Sequence, residues 1–195
     1  MKKFFYVMIL LLVCSLPISA SASDTQQVLA TYSFNSKKVP AQWSTGKTFV
    51  IGENRTLGLF NDRNKRYRKS TVLTIDGIPE GREVEVKFDL IFVGTWDSGG
   101  KLADRFTISE VDGNQLLEMT EFPCALIDGD ESRPLDNNGF VRVGERERAY
   151  WIQPLAMNIP LSGIKNGKTA IEFRGYLTGR KTEFWALDNV KIILQ

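Results

Sequence analysis

The chain has 195 residues, with 25 Lys and Arg against 23 Asp and Glu, no histidine and two cysteines. The missing histidine excludes Ser-His-Asp and Cys-His nucleophilic systems and the usual zinc ligand sets. Charge this close to balance argues against a general nucleic-acid binder, whose affinity rests on neutralising phosphates.

The first residues read as an export signal. Lys2 and Lys3 precede an apolar run from Phe4 to Leu16, and Ala20-Ser-Ala22 has the small-x-small form cut by signal peptidase. Residues 1–22 are therefore expected to be removed, and the protein to be secreted or periplasmic. The apolar run is shorter than the roughly 20 residues of a membrane span, and no second one follows. No transmembrane segment is expected after removal. Cleavage takes Cys14 and two lysines, leaving 23 bases against 23 acids and one thiol, Cys124. Flanked by Phe122, Pro123, Ala125 and Leu126, that thiol is expected to be buried. Residues 23–195 carry no repeat or composition shift and are expected to form one domain.

Periodicity selects β structure. Val84, Val86, Phe88, Leu90 and Phe92 alternate with Glu83, Glu85, Lys87 and Asp89, the pattern of a half-buried strand. Similar runs predict strands at 28–34, 48–52, 57–60, 70–75, 105–111, 116–120, 151–159, 169–176 and 184–194. Turn chemistry separates them, as in Asp76-Gly-Ile-Pro79, Asp112-Gly-Asn114 and Lys165-Asn-Gly167. No stretch of ten residues carries a helical apolar stripe. About ten short strands in one domain predict an all-β fold, a two-sheet antiparallel β-sandwich with loops gathered at its ends.

The segments Ser33–Trp43, Leu57–Phe60, Thr71–Asp97, Asp104–Gly113 and Phe184–Ile192 resemble, in this order, a group of secreted bacterial sandwich domains. In that group a W-D-G-type loop precedes a D-R-[FW] strand, and an E-x-W-x-L-D-N-V strand closes the domain; here the counterparts are Trp96-Asp97, Asp104-Arg105-Phe106 and Glu183–Val190. More distantly the chain is similar to the concanavalin-like and jelly-roll modules of carbohydrate-binding domains and cleaved adhesins. The resemblance implies the fold, export and, more weakly, a glycan ligand, since such sandwiches serve many functions.

Oxygen-rich positions suggest a calcium site. Calcium takes six to eight oxygens, and extracellular modules often bind it at strand ends. Asp97 and Asp104 flank a glycine-containing loop, and Glu183 and Asp188 lie on the closing strand that the resembling modules use for a structural ion. These four are the candidate ligands; the competing reading gives them to turns, backbone caps and a salt bridge to Arg105. The acidic stretch 128–136 lacks EF-hand spacing and reads as a solvated loop. Glu110-Val-Asp112 is the nearest approach to the E-x-D-x-x-E strand of concanavalin-like glucanases, but Gly113-Asn-Gln115 follows and the third carboxylate is missing. A non-catalytic protein is expected, with a glycoside hydrolase as the minor alternative.

Two surfaces are candidates for ligand binding. Trp96, Tyr150 and Trp151 are the candidates for exposed stacking on sugar rings, against a core placement that is the commoner fate of any single aromatic in a sandwich, and Trp43 and Trp185 are the better core candidates. Arg63, Lys65, Arg66 and Arg68, with Lys69, surround Tyr67 and are opposed by Asp62 alone; this run reads either as a solvated hairpin loop or as a surface for an anionic glycan, lipopolysaccharide or a nucleic-acid backbone. The expected function is a calcium-stabilised binding module for carbohydrate or cell-envelope glycan. The alternative is a structural or protein-interaction component of the envelope or matrix.

Overall fold

The computed structural model describes residues 26–99, 103–111, 113–122 and 137–195. The expected signal at 1–22, Cys124 and the acidic stretch 128–136 lie outside the described residues. The strands are β1 (Gln27–Tyr32), β2 (Thr48–Ile51), β3 (Asn54–Phe60), β4 (Ser70–Asp76), β5 (Val84–Gly94), β6 (Arg105–Glu110), β7 (Gln115–Met119), β8 (Gly139–Val143), β9 (Arg146–Ile159), β10 (Lys168–Tyr176) and β11 (Glu183–Leu194), with a 3-10 turn at Leu161–Gly163. They form an antiparallel β-sandwich. One sheet runs β2-β3-β11-β5-β9-β8, with β1 also paired to β11; the other runs β4-β10-β6-β7. No helix among the described residues is long and apolar enough to cross a membrane.

Each predicted strand is present, and β8 is an addition. Its sequence, Gly-Phe-Val-Arg-Val, alternates over only four residues after its glycine, and Phe140 faces solvent at 60 % exposure. So short a run gives little periodic signal. β9 begins at Arg146, five residues before the predicted start. Pro154 fits inside β9 because the pairing to β8 ends at Tyr150, so a proline beyond it costs that edge no ladder hydrogen bond.

β11 organises the larger sheet. It pairs with β5 at both ends, interrupted by an irregularity between Asp188 and Lys191, while its other edge is shared, β3 taking Trp185–Leu187 and β1 taking Val190–Leu194. Trp185, Leu187, Val190 and Ile192 join the core between the sheets, and Phe184 and Ala186 join a second cluster on the outer face. Inside, Trp185 stacks on Phe60 at 4.1 Å and meets Phe106 edge-on at 5.1 Å, tying the two sheets together. Outside, the tip of the β2–β3 hairpin reaches Tyr150: a Cβ on Gly52 would lie 2.6 Å from its hydroxyl.

That packing corrects the expected aromatic platform. Trp96 has no exposed surface, Trp151 is 4 % exposed and Tyr150 8 %. Trp96 joins Phe92 and Phe122 in the core, while Tyr150 belongs to the outer cluster beneath the hairpin. Large rings beside a strand end are drawn into the end of the sandwich because apolar burial there exceeds what surface stacking could return. Trp43 and Trp185 are buried, as expected.

Candidate metal centre and the loops around it

The three segments that meet at one end of the sandwich are built by local constraints. β5 ends at Gly94, whose φ of 92° is open to glycine and whose missing side chain admits the Thr182 carbonyl; a Cβ there would stand 1.7 Å from that oxygen. Trp96 then turns inward and donates its indole N–H to the Phe184 carbonyl at 3.1 Å. The chain leaves at Asp97 and returns at Asp104, closed by two reciprocal bonds: the Asp104 N–H donates to the Asp97 carbonyl at 2.9 Å, and the Asp97 N–H to the Asp104 carboxylate at 2.8 Å. Glu183, first residue of β11, completes the group.

Ligand oxygens of Asp97, Asp104 and Glu183 lie within 4.8 Å of one another, the one such grouping of three acids among the described residues. Asp104 has no exposed surface and Glu183 is 3 % exposed, while Asp97 is half-buried. Their hydrogen-bond donors are neutral. The Thr178 N–H donates to Asp104 at 2.7 Å, the Thr178 hydroxyl to Asp97 at 3.3 Å, the Gly179 N–H to Glu183 and the Thr182 hydroxyl to Glu183 at 3.0 Å. The ion pairs among the described residues join Lys87 to Glu85, Arg105 to Glu118 and Lys168 to Asp76. Arg105 is thus paired away from Asp104. Burial, and then the neighbouring Asp104 charge, push Glu183 up to about 7; burial likewise raises Asp104.

Such a set suits a hard cation. All the side-chain donors are oxygen, and a divalent ion would invert the repulsion that raises these carboxyls. Asp188 is placed elsewhere. Successive side chains turn to opposite faces, and the irregularity in the pairing of β11 with β5 comes only after Asp188, so residues 183 and 188, an odd number apart, do not share a face. Asp188 instead lies opposite Asp89 across the ladder and accepts from the Asn189 N–H at 2.8 Å. Burial, with Asp89 repulsion behind it, raises its carboxyl to about 6.

The basic run is the connection from β3 in one sheet to β4 in the other, which corrects the hairpin reading. It is fastened to the same 177–183 segment that serves the acidic cluster. Asn61, with no exposed surface, accepts from the Arg63 and Asn64 N–H groups at 2.8 Å and donates to the Gly179 and Glu183 carbonyls at 3.0 and 2.6 Å. Asp62 accepts from the Leu177 N–H, the Arg63 side chain donates to the Leu177 carbonyl, and the Asn64 amide donates to the Arg180 carbonyl. Arg63 is thereby part of the scaffold. Tyr67 packs edge-on against Phe184 at 5.0 Å, whereas Lys65, Arg66 and Arg68 stay exposed.

Sequence reasoning missed Asn61, Thr178, Gly179 and Thr182, which hold this end together. Asn61-Asp-Arg-Asn64 did carry a signal, since Asx residues in such a run cap their own turns; the long-range bonds to 177–183 leave none.

No protein-family model matches the chain, and no curated protein matches it at a significant level. Among solved structures it is similar to the K3 cleaved adhesin domain of Lys-gingipain from Porphyromonas gingivalis, at 13 % identity and a TM-score of 0.44, covering 86 % of this chain and 99 % of that one.

Proposed function

We propose that this protein is an exported, non-catalytic binding module for glycan, with a structural calcium ion held by Asp97, Asp104 and Glu183. The observation that supports it is the convergence of three carboxylates, two of them buried, whose hydrogen-bond donors are neutral, with Arg148 acting on Glu183 through charge alone. Like charges this close in a buried site oppose one another unless a proton or a cation intervenes. Calcium accepts carboxylates together with carbonyls and water, and sites of this kind in extracellular modules bind it at roughly 10⁻⁴–10⁻³ M. The ion's part is to fix the strand ends and the 177–183 segment, and through them the connection that bears the basic residues. The same burial speaks against hydrolysis. The oxygens of Asp104 and Glu183 approach within 4.8 Å, closer than the roughly 5–10 Å of a glycosidase pair, and with 0 % and 3 % exposure neither can touch a sugar.

Thermal unfolding in chelator and then in calcium tests the ion. At calcium ten times its Kd the gain is about 1.4 kcal/mol, or roughly 3–6 °C for a domain of this size. A melting point that calcium does not move would sink the assignment and return the three acids to capping roles.

A further inference from the structure

With Trp96, Tyr150 and Trp151 buried, a stacking platform does not account for glycan binding, and the charged end of the molecule offers a different chemistry. A cavity of about 590 Å³ lies between the 44–45 segment and the basic connection, lined by Ser44, Thr45, Lys65, Arg68, Lys69 and Ser70, with Tyr67 at its side. The near wall is fixed, because residues 42–44 run antiparallel along β4: the Ser44 N–H donates to the Val72 carbonyl at 2.9 Å and the Thr74 N–H to the Gln42 carbonyl at 2.9 Å. The Val72 N–H also donates to the Ser44 hydroxyl, at 2.8 Å. The far wall is fixed by Asn61, Asp62 and Asn64 as described. None of the lining residues is acidic, and Lys65, Arg68 and Lys69 take part in no ion pair among the described residues.

We propose that this cavity binds the anionic group of an acidic polysaccharide, a sulfate or carboxylate carried on a sugar ring. Three exposed cations converge on a prearranged hollow where hydroxyls supply the remaining polar contacts. Charge-assisted bonds would take the anion, and the Ser44 and Ser70 hydroxyls the ring's own hydroxyls. A single-stranded nucleic acid fits less well. It needs a basic track with aromatic faces for successive bases, whereas the charge here surrounds one hollow and the Tyr67 ring is engaged by Phe184. The inference deepens the binding-module reading and rests on it.

The test titrates the protein, in low salt with calcium, against dextran sulfate, polygalacturonate, neutral dextran and a single-stranded oligonucleotide. Expected is saturable binding of at least one acidic polysaccharide, weakened by salt, with none of neutral dextran; the tighter of the two acidic polymers names the group as sulfate or carboxylate. Joint Lys65→Glu, Arg68→Glu and Lys69→Glu substitution should weaken that binding roughly tenfold or more. Lys37→Glu with Lys38→Glu, reversing exposed charges on another loop, should change it less than about twofold. The melting point of each variant, measured alongside, verifies that it folds. The inference is overturned if neither acidic polymer binds, if both sets of reversals weaken binding equally, or if the oligonucleotide binds more tightly through the same residues. A calcium-dependent melting shift that persists while binding is absent overturns the ligand inference alone; loss of both overturns the reading beneath it.

Discussion

Asp104 and Glu183 are both buried carboxylates, yet they tolerate loss of charge differently because their donors differ. Both Asp104 oxygens accept backbone N–H groups, from Asp97 and Thr178. Asparagine offers only one acceptor, so Asp104→Asn strands a buried N–H and is expected to cost about 1–3 kcal/mol. Glu183 accepts one backbone N–H and one hydroxyl, and the Thr182 hydroxyl can turn to accept from an amide. Glu183→Gln should therefore stabilise the protein in chelator at pH 8, on the order of 2 kcal/mol, while abolishing its response to calcium. Urea unfolding of the two variants checks both signs; a Gln variant less stable than the parent in chelator would show that the charge is compensated by something other than a metal. Gly94 acts at the same scale through space. With φ at 92° and a Cβ 1.7 Å from the Thr182 carbonyl, Gly94→Ala must displace the residue next to Glu183. It is expected to cost about 3 kcal/mol and to lower calcium affinity; an alanine accommodated within about 1 kcal/mol would contradict that close approach.

At the scale of elements, the acidic cluster and the basic connection meet on the 177–183 segment, and Asn61 is the joint. Asn61→Ala removes the partners of the Gly179 and Glu183 carbonyls and of two N–H groups. The expected cost is about 3 kcal/mol, together with a weaker calcium response in melting curves; a variant that loses stability but keeps the parent's calcium affinity would separate the two loops. This joint could not be read from sequence, because its partners lie more than a hundred positions apart. The elements it joins were legible, since alternation such as Val84–Phe92 survives in any context that buries one face. β8 was too short to show it. The two-residue period also held information that position in a motif concealed: Glu183 and Asp188 share a strand and a motif but not a face, so only the first can meet Asp97 and Asp104. Trp96 shows a related limit. Its place beside the acidic loop suggested exposure, whereas the end of a sandwich draws in a large ring whose N–H finds the Phe184 carbonyl.

For the molecule as a whole, these buried acids set how stability depends on pH, and the absence of histidine leaves the neutral range free of imidazole titration. Glu183 titrates near 4.5 when unfolded and is pushed up to about 7 by burial and by Asp104. Between those values the folded protein holds a proton that the unfolded chain has released, so in chelator stability should fall as pH rises from about 4.5 to about 7 and then level off. Asp188, raised from 3.8 to about 6, adds to the same fall in the lower part of the range. Saturating calcium should reverse the Glu183 contribution. An ion that stabilises the carboxylate would depress its folded value below the unfolded one, so that part of the stability would be present at neutral pH and lost as pH drops. Denaturant unfolding from pH 4.5 to 8, with chelator and with calcium, should give curves that diverge as pH rises, and Glu183→Gln should flatten the upper part of the chelator curve. Parallel curves would mean that calcium does not compete with the Glu183 proton, and the ion would then have to be given up even if calcium stabilised the protein by another route.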